Sequence, residues 1–352
     1  MKRLKEYIVT GGSGYLGYVV VRELIARGYS PIKIIVLPDE NLDKFKDLEI
    51  EIVKGNILDR DFVLNQITPG AVVFHIAGII DIGSVKNDMI YVVNVNGCRN
   101  VVDACIANKA ERLIYTSSVH IIDPLEGDKI MTEPIVFESN PLVGDYAKSK
   151  AMATKYIMEK TKTGELNAVV LYPSGIIGPY DYNVSNFGQV ILDYINRKLT
   201  AYIRGGYNFV DVRDVADGVI KGYEKGKSGE GYILSGEWIS LKQIFIILNE
   251  KLNRRKLPTK LAYWFVRMMI PFAELHYRIR RKKPIFSAYS LYTLNVNSNF
   301  DNSKSKEELG FNPRPIKESL FDMVDWMFEN KKELIKPKHQ LQSRIPKSNT
   351  MN

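Results

Sequence analysis

The sequence predicts an α/β fold: a doubly wound parallel sheet followed by a smaller, mostly helical region. Three observations predict it. Short continuous apolar runs recur through residues 1–172, as in strands buried on both faces. Helix-periodic stretches alternate with them, which calls for right-handed crossovers between parallel strands. The first apolar run, Tyr7–Thr10, opens directly into Gly11, Gly14 and Gly17 and then into a helical pattern from Tyr15 to Ala26.

The elements follow in order. Ile32–Leu37 reads as a second strand and Ile50–Val53 as a third, with a helix over Asp59–Ile67. Ala71–Ile76 is a fourth strand, followed by a helix over Met89–Asn108 whose apolar stripe runs through Val92, Val95, Val101, Val102, Cys105 and Ile106. Arg112–Thr116 is a fifth strand, Asp145–Thr163 a helix and Asn167–Leu171 a sixth strand. Beyond Tyr172 the pattern loosens. Residues 185–197 read as a helix, and a further helix begins within Val210–Lys221, with Asp211 and Asp214 at its start. Gly231–Ser235 is a short strand, and Ser240–Leu252 is an amphipathic helix with Ser240 as its N-cap. Lys256–Ile279 reads as apolar and helical, broken at Pro271, and Ser303–Leu309 and Pro315–Glu329 close the fold. The expected division is a dinucleotide-binding domain over 1–172, with 208–235 returning to it. A substrate domain covers 173–207 and 236–330, and 331–352 is a basic mobile tail.

Composition narrows the class. A 352-residue chain, 45% hydrophobic and 25% charged, is ordinary for a globular protein of one large or two unequal domains. Cys98 and Cys105 lie seven apart on one helical run, a poor spacing for a bridge, and no zinc-type Cys/His spacing occurs, so no metal site is expected. MKRLKEY leads straight into the first strand, so no signal peptide is expected, and no apolar run reaches the ~18 residues of a membrane span. A cytoplasmic protein is therefore expected. The net charge of +9 is unevenly placed: eleven Lys/Arg face one acid between Lys251 and Lys283. A solvated basic face accounts for this more simply than nucleic-acid binding. The apolar, aromatic stretch 261–275 followed by the basic run 278–283 also has the form of an interfacial segment, so peripheral contact with an anionic membrane through 261–283 is a further expectation.

Three sets of residues carry chemistry. The strand–glycine turn–helix start is a site for a pyrophosphate: glycine permits the tight turn and close approach of backbone N–H groups, and the helix N-terminus favours the anion. Tyr146 and Lys150, four apart, share a helix face, where an ammonium favours phenolate and makes a tyrosine a usable acid/base. Ser118 closes Tyr115–Thr116–Ser117–Ser118 at a strand's carboxyl end, where its hydroxyl can orient a reacting oxygen. Each signal alone also fits an ordinary role, as a helix-surface pair or a turn serine. His75 at the end of its strand reads as a packed residue, and His120 as a substrate contact near the crevice mouth.

Together these motifs resemble the extended short-chain dehydrogenase/reductase (NAD-dependent epimerase/dehydratase) family. They are TGGSGYLG (10–17), HIAG (75–78), NVNG (94–97), YTSS (115–118), YAKSK (146–150) and YPSGIIGP (172–179). The resemblance implies a Rossmann-type sheet with a smaller, mostly helical C-terminal substrate domain. It also implies catalysis by Ser118, Tyr146 and Lys150, and cofactor binding by Gly11, Gly14, Tyr15, Leu16, Gly17, Asn56, Ile57, Ala77, Gly78, Asn94, Tyr146, Lys150, Pro173, Ser174 and Ile176. Substrate would meet Ser118, His120, Tyr146 and Ile177.

Departures from the family's patterns select a branch. Ser117 and Ser118 stand where dehydratases carry Asp–Glu, and Val119–His120–Ile121–Ile122 replaces the Val–Tyr–Gly-like stretch of epimerases. Pro173–Ser174–Gly175 replaces an epimerase asparagine, and Tyr207–Asn208–Phe209–Val210 occupies the place of a diphosphate-gripping arginine, for which Arg204 and Arg213 are the nearby substitutes. The chain most resembles the branch of 3β-hydroxysteroid dehydrogenases and dihydroflavonol reductases, which implies alcohol–ketone chemistry on a bulky, mostly apolar small-molecule substrate. Leu261–Leu275 with Phe286, Tyr289 and Tyr292 would line its pocket. The alternatives are a nucleotide-sugar 4-epimerase with tightly bound NAD and a non-catalytic NAD(P)-binding or membrane-associated protein. Asp39 and Glu40 after the second strand favour NAD over NADP, since no arginine is near. A homodimer is expected, and no nucleic-acid partner.

Overall fold

The computed structural model describes residues 5–80, 88–127, 129–137, 142–268 and 288–337. Its centre is a seven-stranded, all-parallel sheet. The strands are β1 (Tyr7–Thr10), β2 (Ile32–Val36), β3 (Glu51–Lys54), β4 (Val72–His75), β5 (Arg112–Thr116), β6 (Ala168–Pro173) and β10 (Gly231–Leu234), in the order β10-β6-β5-β4-β1-β2-β3. The order reverses between β1 and β4, and that switch point is where an open α/β sheet leaves a crevice at the carboxyl ends of its strands.

Helices cover both faces because the strands are apolar on both. One face carries α1 (Tyr15–Ala26) and α7 (Val212–Lys225), whose Val20, Leu24, Val215 and Val219 pack with Val9, Val72 and Phe74. The other carries α2 (Arg60–Gln66), α4 (Cys98–Ala107) and α5 (Asp145–Lys162), where Val101, Val102, Ala151 and Ile157 meet Ile8, Val73, Leu113 and Val170. The Met89–Asn108 pattern is one helical run with a π turn at its centre: α3 (Met89–Tyr91), the π turn Val92–Gly97, then α4.

A smaller lobe holds β7 (Gly175–Ile177), α6 (Asn186–Ile195), β8 (Ala201–Ile203), β9 (Gly206–Asp211), β11 (Glu237–Ser240), α8 (Leu241–Lys251) and β12 (Thr259–Leu261). The closing helix Ile316–Asn330 packs into its core through Leu320, Met323, Val324 and Met327. A three-stranded sheet, β11-β9-β7, and a two-stranded sheet, β12-β8, support the lobe.

The helix expected to begin within Val210–Lys221 starts at Val212 with Asp211 as N-cap, and Val210 closes β9 before it. Three sequence expectations change here. The returning segment divides accordingly: β9 belongs to the small sheet, while α7 and β10 join the large one. Residues 259–261 form β12 instead of helix, because they pair with β8. The tail is not free from Lys331 onward. Ile335 is buried in the small lobe, and Asn196 clasps the backbone on both sides of it through the Leu334 carbonyl and the Lys336 N–H, each 2.8 Å. Residues 338–352 lie outside the described residues, as do 269–287, which hold most of the expected membrane segment.

Candidate active site

The glycine turn sits at the switch point. Gly11 has φ +70°, and a Cβ there would stand 2.7 Å from the Ala77 backbone. A Cβ on Gly17 would stand 2.1 Å from the Gly11 carbonyl oxygen, so only glycine lets α1 start this close under the turn. The Leu16 side chain is buried in the core and Tyr15 donates its hydroxyl to the Gly178 carbonyl (2.7 Å), so at both positions the free donors for an anion are backbone N–H groups. Asn56 is exposed beyond β3 and accepts the Leu58 N–H at 3.0 Å, while Ile57 is buried. Ala77 and Gly78 follow β4, and Gly78 lies beside Asn94. The buried Asn94 amide clamps this loop: it accepts the Ile79 N–H (2.8 Å) and donates to the Ile79 carbonyl and to Ser149 Oγ (both 3.0 Å).

Ser118, Tyr146 and Lys150 converge at the carboxyl end of β5, all three buried. The Tyr146 phenol is pushed up to about 12 by burial, with the Ser118 hydroxyl acting the other way. It is therefore protonated at neutral pH, the form that gives a proton to a carbonyl oxygen. Lys150 Nζ donates to the Thr116 carbonyl at 2.8 Å, and burial lowers its pKa to about 8. The α5 register that aims Lys150 is fixed by Thr154, whose hydroxyl bonds both the Lys150 carbonyl and Ser117 Oγ, each at 2.8 Å.

Pro173 and Ser174 end β6, and Ile176 lies in β7. Among the described residues, Ser174 Oγ and Thr116 Oγ1 are buried polar atoms with no hydrogen-bond partner, although buried hydroxyls ordinarily have one. A ligand bearing amide and ribose hydroxyl groups meets that need. The cradle of Gly11 and Gly17 with these orphaned hydroxyls fits a nicotinamide dinucleotide.

Beside Tyr146, across the His120 ring, lies a narrow cleft of about 30 Å³. Its walls are mostly apolar, from Val119, Ile122, Met131, Leu142, Val296 and Phe300. Its polar lining includes His120, Tyr207, Tyr292 and Asn297, and among the described residues no charged side chain lines it. His120 stacks on Tyr207 (5.8 Å, 17°), lies edge-on to Tyr146 (5.8 Å, 76°) and places Nε2 3.3 Å from the Tyr207 hydroxyl. Burial lowers its pKa to about 4, so the ring is neutral. His75 is likewise buried and neutral, held by Thr10 Oγ1 at 2.7 Å, as a packed residue should be.

Some placements depart from the sequence reading. Ile177 packs in the small-lobe core with Ile191 and Tyr202 and does not line the cleft. Of the apolar stretch expected to line it, Tyr263, Trp264, Phe265 and Met268 are exposed instead; Phe286 and the Tyr289 side chain lie outside the described residues, and Tyr292 does line the cleft. Of the two candidates for gripping a diphosphate, Arg213 is already held by the buried Asp211 (2.7 Å) and by Asp322 (2.8 Å), while Arg204 is exposed between β8 and β9. Sequence reasoning missed Lys44. Half-buried, it donates to the Ser13 carbonyl of the glycine turn and lies over the rings of Tyr18, Phe45 and Tyr182. A lone lysine in a loop carries no signal of its own. Tyr207, Val296 and Asn297 were missed because the chain brings them to the cleft from distant segments.

The family model described as the 3-beta hydroxysteroid dehydrogenase/isomerase family matches residues 8–217. A Synechocystis sp. protein carrying a dihydroflavonol 4-reductase name is 31% identical over 338 residues, 92% of this chain and 94% of its own. Sterol demethylase protein B of Methylococcus capsulatus is 27% identical over 328 residues, 92% of this chain and 98% of its own. Among solved structures, that of gox2253 superposes with a TM-score of 0.82 at 27% identity, over 94% of this chain and all of the other.

Proposed function

From the premise that the chain belongs to the 3-beta hydroxysteroid dehydrogenase/isomerase family, we propose that it interconverts a secondary alcohol and a ketone on a bulky, mostly apolar substrate, steroid- or flavonoid-like in class. It is an enzyme of the extended short-chain dehydrogenase/reductase type, and its cofactor is a nicotinamide dinucleotide. The observation that supports the finer reading is the juxtaposition of a buried, protonated Tyr146 with a mostly apolar cleft that no charged side chain lines among the described residues. A nucleotide sugar brings a diphosphate, which needs charge-assisted partners, and Arg213 is engaged elsewhere.

The residues divide the work. Gly11, Gly14 and Gly17 cradle the pyrophosphate, and Lys150, Ser174 and Thr116 face the nicotinamide riboside end. The nicotinamide, when bound, supplies or accepts the hydride. Tyr146 gives its proton to the carbonyl oxygen in reduction and takes one from the hydroxyl in oxidation, while Ser118 hydrogen-bonds the same oxygen and fixes its direction. Tyr146→Phe is expected to lower kcat by roughly two or more decades and leave dinucleotide affinity unchanged. Full activity in that variant, or turnover of nucleotide sugars in preference to steroids and flavonoids, overturns the proposal.

At the adenosine end both signs of charge meet. Asp39 and Glu40 favour the ribose hydroxyl of NAD, whereas Lys44 supplies a cation that a 2′-phosphate would need. We infer that NADP is accepted alongside NAD and that Lys44 decides how well. Membrane contact belongs to the same reading. Tyr263, Trp264, Phe265 and Met268 expose an apolar face next to Lys260 and Arg267, which is how an interfacial segment meets anionic lipid. No helix among the described residues is long and apolar enough to cross a membrane. Co-sedimentation with anionic vesicles, lost at high salt and in Trp264→Ala, is expected; no binding at low salt removes the membrane contact.

A further inference from the structure

Lys150 is buried, yet among the described residues no carboxylate pairs with it. Two contacts hold its ammonium. One is the hydrogen bond to the Thr116 carbonyl. The other is the ring of Tyr115, over which Nζ lies 4.8 Å from the centroid. Among the described residues, the groups facing it from neighbouring elements are uncharged. From β4 comes His75, kept neutral by burial, and from α4 comes Cys98, whose thiol burial raises to about 12. On α5 stands protonated Tyr146, and on the π turn the Asn94 amide.

Tyr115 is placed to serve that cation. Its ring is fully buried and stacks with His75 (5.5 Å, 27°), whose Nδ1 is fixed by Thr10 Oγ1. Its hydroxyl is buried and has no hydrogen-bond partner among the described residues, so the ring, and not the hydroxyl, accounts for an aromatic residue here. An aromatic face carries negative potential, and a desolvated cation–π contact is among the stronger of its kind. We propose that Tyr115 is a positioning residue for Lys150: its ring face keeps the ammonium protonated and aimed into the crevice where no carboxylate does so. The proposal rests on the reading of Lys150 as a working lysine of the site.

The test alters the ring's electron density and not its shape. Tyr115→Phe keeps the face and is expected to leave the Lys150 titration in place. Phenylalanine analogues with increasing numbers of fluorine atoms at position 115 drain the face stepwise. In the full-length protein, the titration of Lys150 is read from its isotope-labelled ε-carbon resonance, assigned with Lys150→Arg. It is expected to move to lower pH along the series, by about one unit or more at the end. The alkaline limb of the kcat/KM profile is expected to move with it. An unchanged Lys150 titration across the series overturns the proposal. A titration that moves while the activity profile stays fixed upholds the ring's role and instead refutes the assignment of Lys150 to catalysis.

Discussion

Asn94→Ala tests how the helix behind the sheet holds the cofactor loop. The amide makes three hydrogen bonds, to the Ile79 N–H at 2.8 Å and to the Ile79 carbonyl and Ser149 Oγ at 3.0 Å. Each is worth about 0.5–1.5 kcal/mol net, and more where the partner is left buried and unsatisfied. Ser149 keeps its bond to the Tyr146 carbonyl at 2.8 Å, and Ile79 is only half-buried, so water recovers part of the loss. The expected destabilisation is about 2–4 kcal/mol, read from urea unfolding as a lower midpoint at unchanged slope. Dinucleotide affinity, measured by calorimetry, should fall as well, because Gly78 and Ile79 lose their anchor beside Lys150. Asn94→Asp sharpens the test. It keeps the acceptor for the Ile79 N–H but sets a second oxygen against the Ile79 carbonyl, so the buried carboxyl titrates above its unfolded value. The protonated form has a donor and the ionised form has none, so this variant should regain stability as pH falls from 7 towards 5. A loss below about 0.5 kcal/mol in Asn94→Ala with undiminished dinucleotide affinity refutes the clamp.

Three further outcomes follow from the site. His120 is neutral when folded, with a pKa of about 4 against 6.5 unfolded, so the unfolded chain binds more protons between those values and stability falls as pH drops through that window. His120→Phe should therefore lose about 2 kcal/mol less than the wild type between pH 7 and pH 5, measured by urea midpoints; equal losses exclude a buried neutral imidazole. Gly17→Ala places a methyl 2.1 Å from the Gly11 carbonyl oxygen, a backbone atom that cannot swing away, and dinucleotide binding should be lost in titration calorimetry; retained binding would show that the turn can open. Lys44→Ala should weaken NADPH by about tenfold or more and change NADH by less than about twofold, as expected for one charge-assisted contact, and equal effects on both cofactors would remove Lys44 from the 2′ position.

The large sheet was legible because its signals are local. β1, α1 and β5 begin and end where the apolar runs begin and end, since a strand buried on both faces must be apolar throughout and the glycine turn leaves no latitude in between. Ser118, Tyr146 and Lys150 were legible for a related reason, as each lies within a short motif on one element. β7, β9, β11 and β12 were not. They are short, and β9 exists because Tyr207 and Phe209 pair with Ile239 and Glu237 from a segment far along the chain. The cleft is still less local, since His120, Tyr207 and Asn297 meet only once both lobes are assembled.

The return of the chain to the large sheet has a consequence for synthesis. The candidate cofactor and catalytic motifs lie before residue 180, yet α7, β10 and the Leu309–Phe311 turn complete the layer that covers Val9, Phe74 and Leu171. A nascent chain that has just released Pro179 from the ribosome thus holds every motif but leaves exposed the part of that sheet face that α7 covers beside α1. It has to wait for Leu309–Phe311 before that face closes. The glycine turn becomes a nucleotide site late, and the exposed apolar face is what a chaperone would meet in the interval.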